Sequence, residues 1–146
     1  MNKKELISML KGYNYIVADI ENYNQEILNL SEVIGSKREL HIPTLTGMPR
    51  GSDIADTTYK KVEKIIDTYC KQVAKIEANI ENLFNKKNEI EDLVNSLEER
   101  ESKIIKLKFF KKYNWIMIER TMNYSRSQCF NIYNKAIDEM LDKVNQ

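Results

Sequence analysis

The sequence predicts an all-α protein, a long antiparallel, coiled-coil-like helical hairpin followed by a compact C-terminal domain of three helices. Three observations predict it. The 146 residues hold only four glycines and two prolines, and all but Gly12 fall within residues 35–52. Apolar residues recur at alternating steps of four and three in two long segments, the pattern of a helix with one buried seam. In the last fifty residues, capping signals divide the chain into short helices.

The first segment, residues 3–34, carries Leu6, Leu10, Tyr13, Val17, Ile20, Ile27 and Ile34 on one stripe, with Asn24 and Ser31 at polar positions in it. Gly35 stands where a helix terminator belongs. Residues 35–52 read as a loop, because Gly35, Pro43, Gly47, Pro49 and Gly51 punctuate it. Asp53 or Asp56 is placed to cap the next helix. That helix is the longest element, with Val62, Ile66, Tyr69, Val73, Ile76, Ile80, Leu83, Ile90, Val94 and Leu97 in register and Lys87 at the one skipped position. Over residues 57–95 it would reach ~58 Å at 1.5 Å per residue. Its stripe needs a partner, and the first helix folding back supplies one for part of its length. A second copy of the chain would cover the rest, so a homo-oligomer, first of all a dimer, is expected, with Asn24 and Lys87 fixing register.

Ser96-Leu97-Glu98-Glu99 reads as a capping box that opens a new helix, whose apolar residues are Leu97, Ile104, Ile105, Leu107, Phe109 and Phe110. Asn114 caps a short helix from Trp115 to about Met122, with Trp115, Ile118 and Met122 inward. Asn123-Tyr124 makes a turn, and Ser125 with Gln128 caps a last helix running to about Val144. Its inward residues are Ile132, Tyr133, Ala136, Ile137, Met140, Leu141 and Val144. Two domains follow: residues 1–95, the hairpin with its loop, and residues 96–146.

Composition narrows the function classes. The net charge of +1 hides an uneven distribution: residues 1–34 carry −2, residues 35–96 are neutral and residues 97–146 carry +3. Five lysines and no acid lie between Lys103 and Lys112, a local patch suited to a phosphate backbone. Cys70, Cys129 and His41 are too few and too far apart for a zinc site, so no metal or other cofactor is expected and the cysteines read as buried free thiols. No apolar run approaches the ~20 residues of a membrane span, and the N-terminal residues lack the apolar core of a signal peptide. A cytoplasmic protein that does not engage membranes is expected. No nucleophile motif is present, and the loop lacks the GK[ST] of a P-loop, so an enzyme is not expected.

Two short helices joined by a tight turn, the second opening on polar side chains, outline a helix-turn-helix and make duplex DNA the expected partner. Arg126, Ser127, Gln128 and Asn131 stand near the start of the last helix as candidate base contacts, because Arg pairs bidentately with guanine and Gln or Asn with adenine. Lys111, Lys112, Tyr113, Asn114, Ser125 and Lys135 are candidate backbone contacts, which set affinity rather than sequence choice. Trp115 reads as core rather than as a base-stacking platform. The bland alternative is a three-helix bundle whose lysines only solvate its surface.

The segments Leu97-Glu98-Glu99-Arg100, Ile104 to Phe110, Trp115 to Ile118, Tyr124 to Ser127, Lys135-Ala136 and Leu141 together resemble the sigma-70 region 4-like helix-turn-helix. In particular they resemble the phage-associated ArpU/RinA group of transcriptional regulators, which includes a family labelled only as a domain of unknown function. Leu45 to Asp53, with its Gly-Met-Pro-Arg-Gly core, is similar to the loop after the first helix in these small phage proteins, and Arg50 in it is a candidate contact of unassigned role. The resemblance implies a regulator of phage or prophage late genes that binds promoter DNA, with RNA polymerase left open as a second partner. Glu119-Arg120 stands at the usual Ile-Ala step of the sigma pattern, and nothing resembles the core-polymerase-binding region 2, so a complete sigma factor is not expected. Two competing readings stand beside this one. A small terminase-like packaging protein also joins a helix-turn-helix to a helical hairpin. A coiled-coil interaction protein would use the C-terminal bundle only as a cap.

Overall fold

The structure, a computed structural model, describes residues 1–39 and 52–146. The regular elements among them are helical: α1 (Lys3–Lys11), α2 (Tyr13–Glu39), α3 (Ser52–Asn95), α4 (Glu99–Ile105), α5 (Trp115–Met122) and α6 (Arg126–Val144), with a π-helical turn over Lys106–Phe110 continuing α4. The all-α class is therefore as the sequence predicts. Residues 40–51, including Arg50, His41 and the Gly-Met-Pro-Arg-Gly segment of the expected loop, lie outside the described residues.

The first predicted helix is bent into two. Asn2 caps α1 reciprocally with Glu5: the Glu5 amide donates to Asn2 Oδ1 and the Asn2 amide to Glu5 Oε2, both at 2.9 Å. At Gly12 the backbone flattens to ψ −13°, its N–H reaches back to Ser8 and Leu10, and α2 starts at Tyr13. Gly35 does not end α2, which continues to Glu39. One interior glycine costs a helix only about 1 kcal/mol, and the flanking residues continue the pattern. Of the expected loop, residues 35–39 and Ser52 are therefore helical. Asp53 and Asp56 fall inside α3 rather than at its cap, since the helix already includes Ser52.

The described residues form two compact units. Unit 1 comprises Met1–Asp19 and Leu83–Gln146. Its core joins Leu6 and Leu10 of α1, Ile90 and Val94 of α3, Ile104 and Ile105 of α4, Ile118 of α5, and Cys129, Ala136, Ile137 and Met140 of α6. The predicted boundary at residue 95 thus differs from the structural one. α1 and the end of α3 belong to the same core as the last three helices, because residues 96–146 alone leave that core open on the side that Leu6 and Leu10 close. Unit 2, Ile20–Asn82, contains the matching stretches of α2 and α3. These are the facing arms of the hairpin: Glu26, Asn29 and Leu30 line one cavity with Gln72, Lys75 and Ile76.

The α3 stripe is placed as its spacing predicts. Every position from Val62 to Leu83 in the register is half-buried, Ile90 and Val94 are buried, and Lys87 in the skipped position is bound to Glu91 at 2.9 Å. In α2, Asn24 and Ser31 are exposed instead, and Tyr23 and Leu30 take the inward positions. A straight helix drifts relative to a strict heptad, so the inward face steps back by one residue.

Ser96 does not cap α4. Its hydroxyl donates to Leu93 O at 2.7 Å and accepts from Lys143 Nζ at 3.0 Å, and α4 begins at Glu99 with no side-chain cap. A serine hydroxyl can serve an amide or a carbonyl, and here the end of α3 takes it. Cys129 is a buried thiol as expected, whereas Cys70 is exposed on α3. Val144 lies at the exposed end of α6 rather than inward. Among the described residues, no helix is long and apolar enough to cross a membrane.

Candidate nucleic-acid interface

The candidate interface lies on α4, α5 and α6, with α6 packed on α4, α5 and α1. α4 ends in a wider turn: the Lys111 amide bonds Lys106 O at 3.0 Å and the Tyr113 amide bonds Leu107 O at 2.9 Å. Asn14 of α2 donates from Nδ2 to the carbonyls of Phe109 (3.1 Å) and Phe110 (3.0 Å), satisfying acceptors that the helix end leaves open. Tyr13 stacks on Phe110 with ring centroids 3.8 Å apart. The chain then turns through Lys112, which sits at φ 54°, a left-handed conformation unfavourable for a residue with a Cβ.

Asn114 caps α5 by accepting from the Met117 amide at 2.9 Å, as predicted. α5 ends on Asn123 in the left-handed region (φ 58°, ψ 36°), the conformation in which Asn is the usual alternative to Gly. Two residues later Ser125 caps α6 in a reciprocal box with Gln128. The turn is held from below by Cys129, whose thiol contacts Tyr124 O at 3.9 Å, and burial together with nearby Glu119 pushes that thiol upward in pKa.

The outer face of α6 presents Arg126, Ser127, Phe130, Asn131 and Asn134, all exposed. Arg126 and Phe130 form one (i, i+4) row, and Ser127 and Asn131 the next. Arg126 Nε is 3.0 Å from Glu119 Oε1 of α5, which holds the guanidinium while its side chain remains 55% exposed. The charged Glu119 that departs from the sigma-like pattern therefore positions the first candidate base reader. Gln128 uses its Oε1 on the Ser125 amide, which leaves its amide nitrogen.

Sequence reasoning did not single out Phe130 or Asn134. Phe130 is 38% exposed and its ring lies 4.3 Å from Trp115, which also meets Tyr133 edge-on at 5.4 Å. A lone aromatic four residues after Arg126, off the inward stripe, was the available signal. Trp115 is half-buried in this cluster, in keeping with a packing role.

Among the expected backbone contacts, Lys111, Lys112, Asn114 and Ser125 are exposed and Tyr113 is half-buried, all around the starts of α5 and α6. Lys111 lies 6.0 Å from the Tyr113 ring centroid. Lys135 is placed otherwise. Its ammonium is 3.1 Å from buried Glu101 and within 4.0 Å of Glu98 and Glu139. Glu101 is 2% exposed and its Oε2 has no hydrogen-bond partner, so Lys135 is its compensating charge and ties α6 to α4. The neighbouring Glu101 carboxylate, as acceptor of a proton held by Glu139, and then burial raise the pKa of Glu139.

A family model described as a protein of unknown function (DUF722) matches residues 59–142, more than half of the chain. The chain belongs to the DUF722 family. The match takes in most of α3 and all of α4 and α5, so the DUF722 region contains the whole turn between α5 and α6 and every candidate base contact. No curated protein and no solved structure matches this DUF722 chain.

Proposed function

We propose that this DUF722 protein is a sequence-specific DNA-binding transcriptional regulator that enters the major groove with the N-terminal half of α6. The observation that carries the reading is the outer face of α6, where Arg126, Ser127, Phe130 and Asn131 stand exposed beside one another, just after a short capped turn. Arg126 keeps its terminal Nη groups for a guanine edge, Asn131 suits adenine, and Phe130 suits a thymine methyl. Lys111 and Lys112 flank the start of α5, where phosphate would lie. The resemblance to ArpU/RinA-type regulators supports phage or prophage late genes as the target and RNA polymerase as a further partner, and the half-buried stripe of α3 supports a homodimer as the working form.

Selection of bound fragments from source genomic DNA, followed by sequencing, tests this reading. A shared motif at promoters is expected. On that motif Arg126→Ala should cost roughly 1–3 kcal/mol and relax preference at one base. Equal loss on random DNA removes the base-reading role. Enrichment of a packaging site with ring-sized particles establishes the terminase-like reading, and no enrichment leaves a helical interaction protein.

A further inference from the structure

The bend between α1 and α2 faces the turn before α5 across a groove of about 540 Å³. Lys11 and Tyr15 line it from the N-terminal helices, and Lys108, Lys112, Tyr113 and Asn114 line it from the opposite side. We propose that this groove is a cradle for the phosphodiester backbone of duplex DNA, which makes α1 and α2 part of the DNA-binding surface as well as part of its support. The proposal rests on the reading of α6 as the base reader.

Three ammonium groups share this concave space with no carboxylate among its lining residues. Among the described residues, none of the three has an acidic partner within 4 Å, in contrast to Lys87 and Lys135. Like charges gathered without counter-charge repel each other and create a strong positive potential, which suits an anionic ligand. Two of the lysines are braced by rings rather than left to solvent. Lys108 Nζ lies 4.8 Å from the Trp115 ring centroid, and Lys112 Nζ lies 5.4 Å from that of Tyr15. Bracing lowers the rotamer entropy lost when an anion binds. The hydroxyls of Tyr15 and Tyr113 and the Asn114 amide nitrogen add neutral donors, since Asn114 commits only its oxygen to the helix cap. Such a set of donors fits phosphate oxygens and carries no means of reading a base.

Duplex DNA is the occupant because the groove adjoins the reading face. Lys108 lies on Trp115, and Trp115 lies against Phe130, on the outer face of α6. A strand whose bases meet Phe130 and Arg126 thus has its backbone within one stacked side chain of the groove. Asn114 belongs to both features, lining the groove and starting α5.

The test uses the full chain, a mixed-sequence duplex and a duplex carrying the selected motif, with binding followed by fluorescence anisotropy across a salt series. Lys11→Gln and Lys108→Gln should each weaken both duplexes equally, by about tenfold near 0.1 M salt, and flatten the log–log salt slope by about 1. Lys71→Gln, exposed on α3 in unit 2 and outside the groove, should change neither, and circular dichroism should show all three variants folded. An unchanged slope for Lys11→Gln and Lys108→Gln, alongside motif preference that Arg126→Ala abolishes, overturns the cradle and leaves the α6 reading standing. An equal effect of Lys71→Gln also overturns it, in favour of diffuse charge. If the unaltered protein binds neither duplex, both readings fall together.

Discussion

Units 1 and 2 draw on the same helices, α2 and α3, yet they are organised differently. Every fully buried apolar side chain among the described residues belongs to unit 1, including Leu6, Leu10, Ile118, Ile137 and Met140. In unit 2 the inward stripe, Val62 to Ile80 on α3 and Ile20 to Ile34 on α2, is only half-buried, and Leu28 and Ile65 are exposed. Two helices can give each other one seam, and enclosing a side chain on all sides takes a third layer. α1 and α6 supply that layer in unit 1. The periodicity that makes a long helix is therefore no guide to where a core will form, and crossing elements decide that.

The sharpest way to break this comparison is to truncate a matched pair of side chains. Leu10→Ala should cost about 2–5 kcal/mol because it opens a cavity in an enclosed core. Ile76→Ala, on the half-buried seam, should cost about 1 kcal/mol, and thermal or denaturant melts of the two variants would show the gap. Equal losses would mean that unit 2 is as enclosed as unit 1. For the same reason a fragment of residues 96–146 should fail to fold alone, which circular dichroism would reveal.

The Tyr13–Glu91 bond gives unit 1 a pH signature. Burial, followed by the hydrogen bond to Glu91, pushes the Tyr13 phenol up to about 12. The same bond, with help from Lys87, holds the Glu91 carboxyl below its ordinary value. A raised phenol stabilises the fold below about pH 10, and that contribution fades as pH rises from there towards 12. A lowered carboxyl acts in the opposite sense: its contribution is present above the ordinary carboxylate pKa and is lost as pH falls below it. Tyr13→Phe should cost about 1–2 kcal/mol near neutrality and reduce both slopes, as denaturant midpoints across pH would report. Unaltered slopes in that variant would assign the dependence elsewhere.

Asn14→Ala should cost about 1–2 kcal/mol, since it leaves the Phe109 and Phe110 carbonyls without their side-chain donor. Its melting transition should fall while the helix content by circular dichroism stays constant. The smallest effect is expected at Lys112. There Lys112→Gly should raise stability by up to about 1 kcal/mol through relief of the left-handed backbone, and still weaken duplex binding. Stability and binding moving together would contradict a role for that side chain in holding phosphate.

The elements of unit 1 were legible where a side chain has one good option. Asn114 and Ser125 each stand directly before a helix whose first amides need an acceptor, and both cap as their positions predict. The α3 stripe was legible because its four-three alternation persists over many turns. Ser96 was not, since its hydroxyl serves the carbonyl of Leu93 as readily as it would an amide. The Asn14 bonds join residues more than ninety apart in sequence, which no local pattern encodes. Of the candidate site, Arg126, Ser127 and Asn131 were visible from residue type and position. The diversion of Lys135 to buried Glu101 and the exposure of Phe130 follow only from how α4, α5 and α6 meet.

The chain's two cysteines divide it chemically as well as structurally. Cys129 is enclosed beneath the turn that starts α6, whereas Cys70 lies open on α3 within unit 2. A thiol reagent added to the folded protein should therefore attach at a single position, remote in sequence from every candidate DNA contact. A spin label or fluorophore placed there without any mutation would report whether two chains associate along α3, from the separation between labels. Under oxidising conditions the same exposed thiol gives associated chains a means of covalent capture through a Cys70–Cys70 disulfide, provided that the two sulfurs lie within bonding reach.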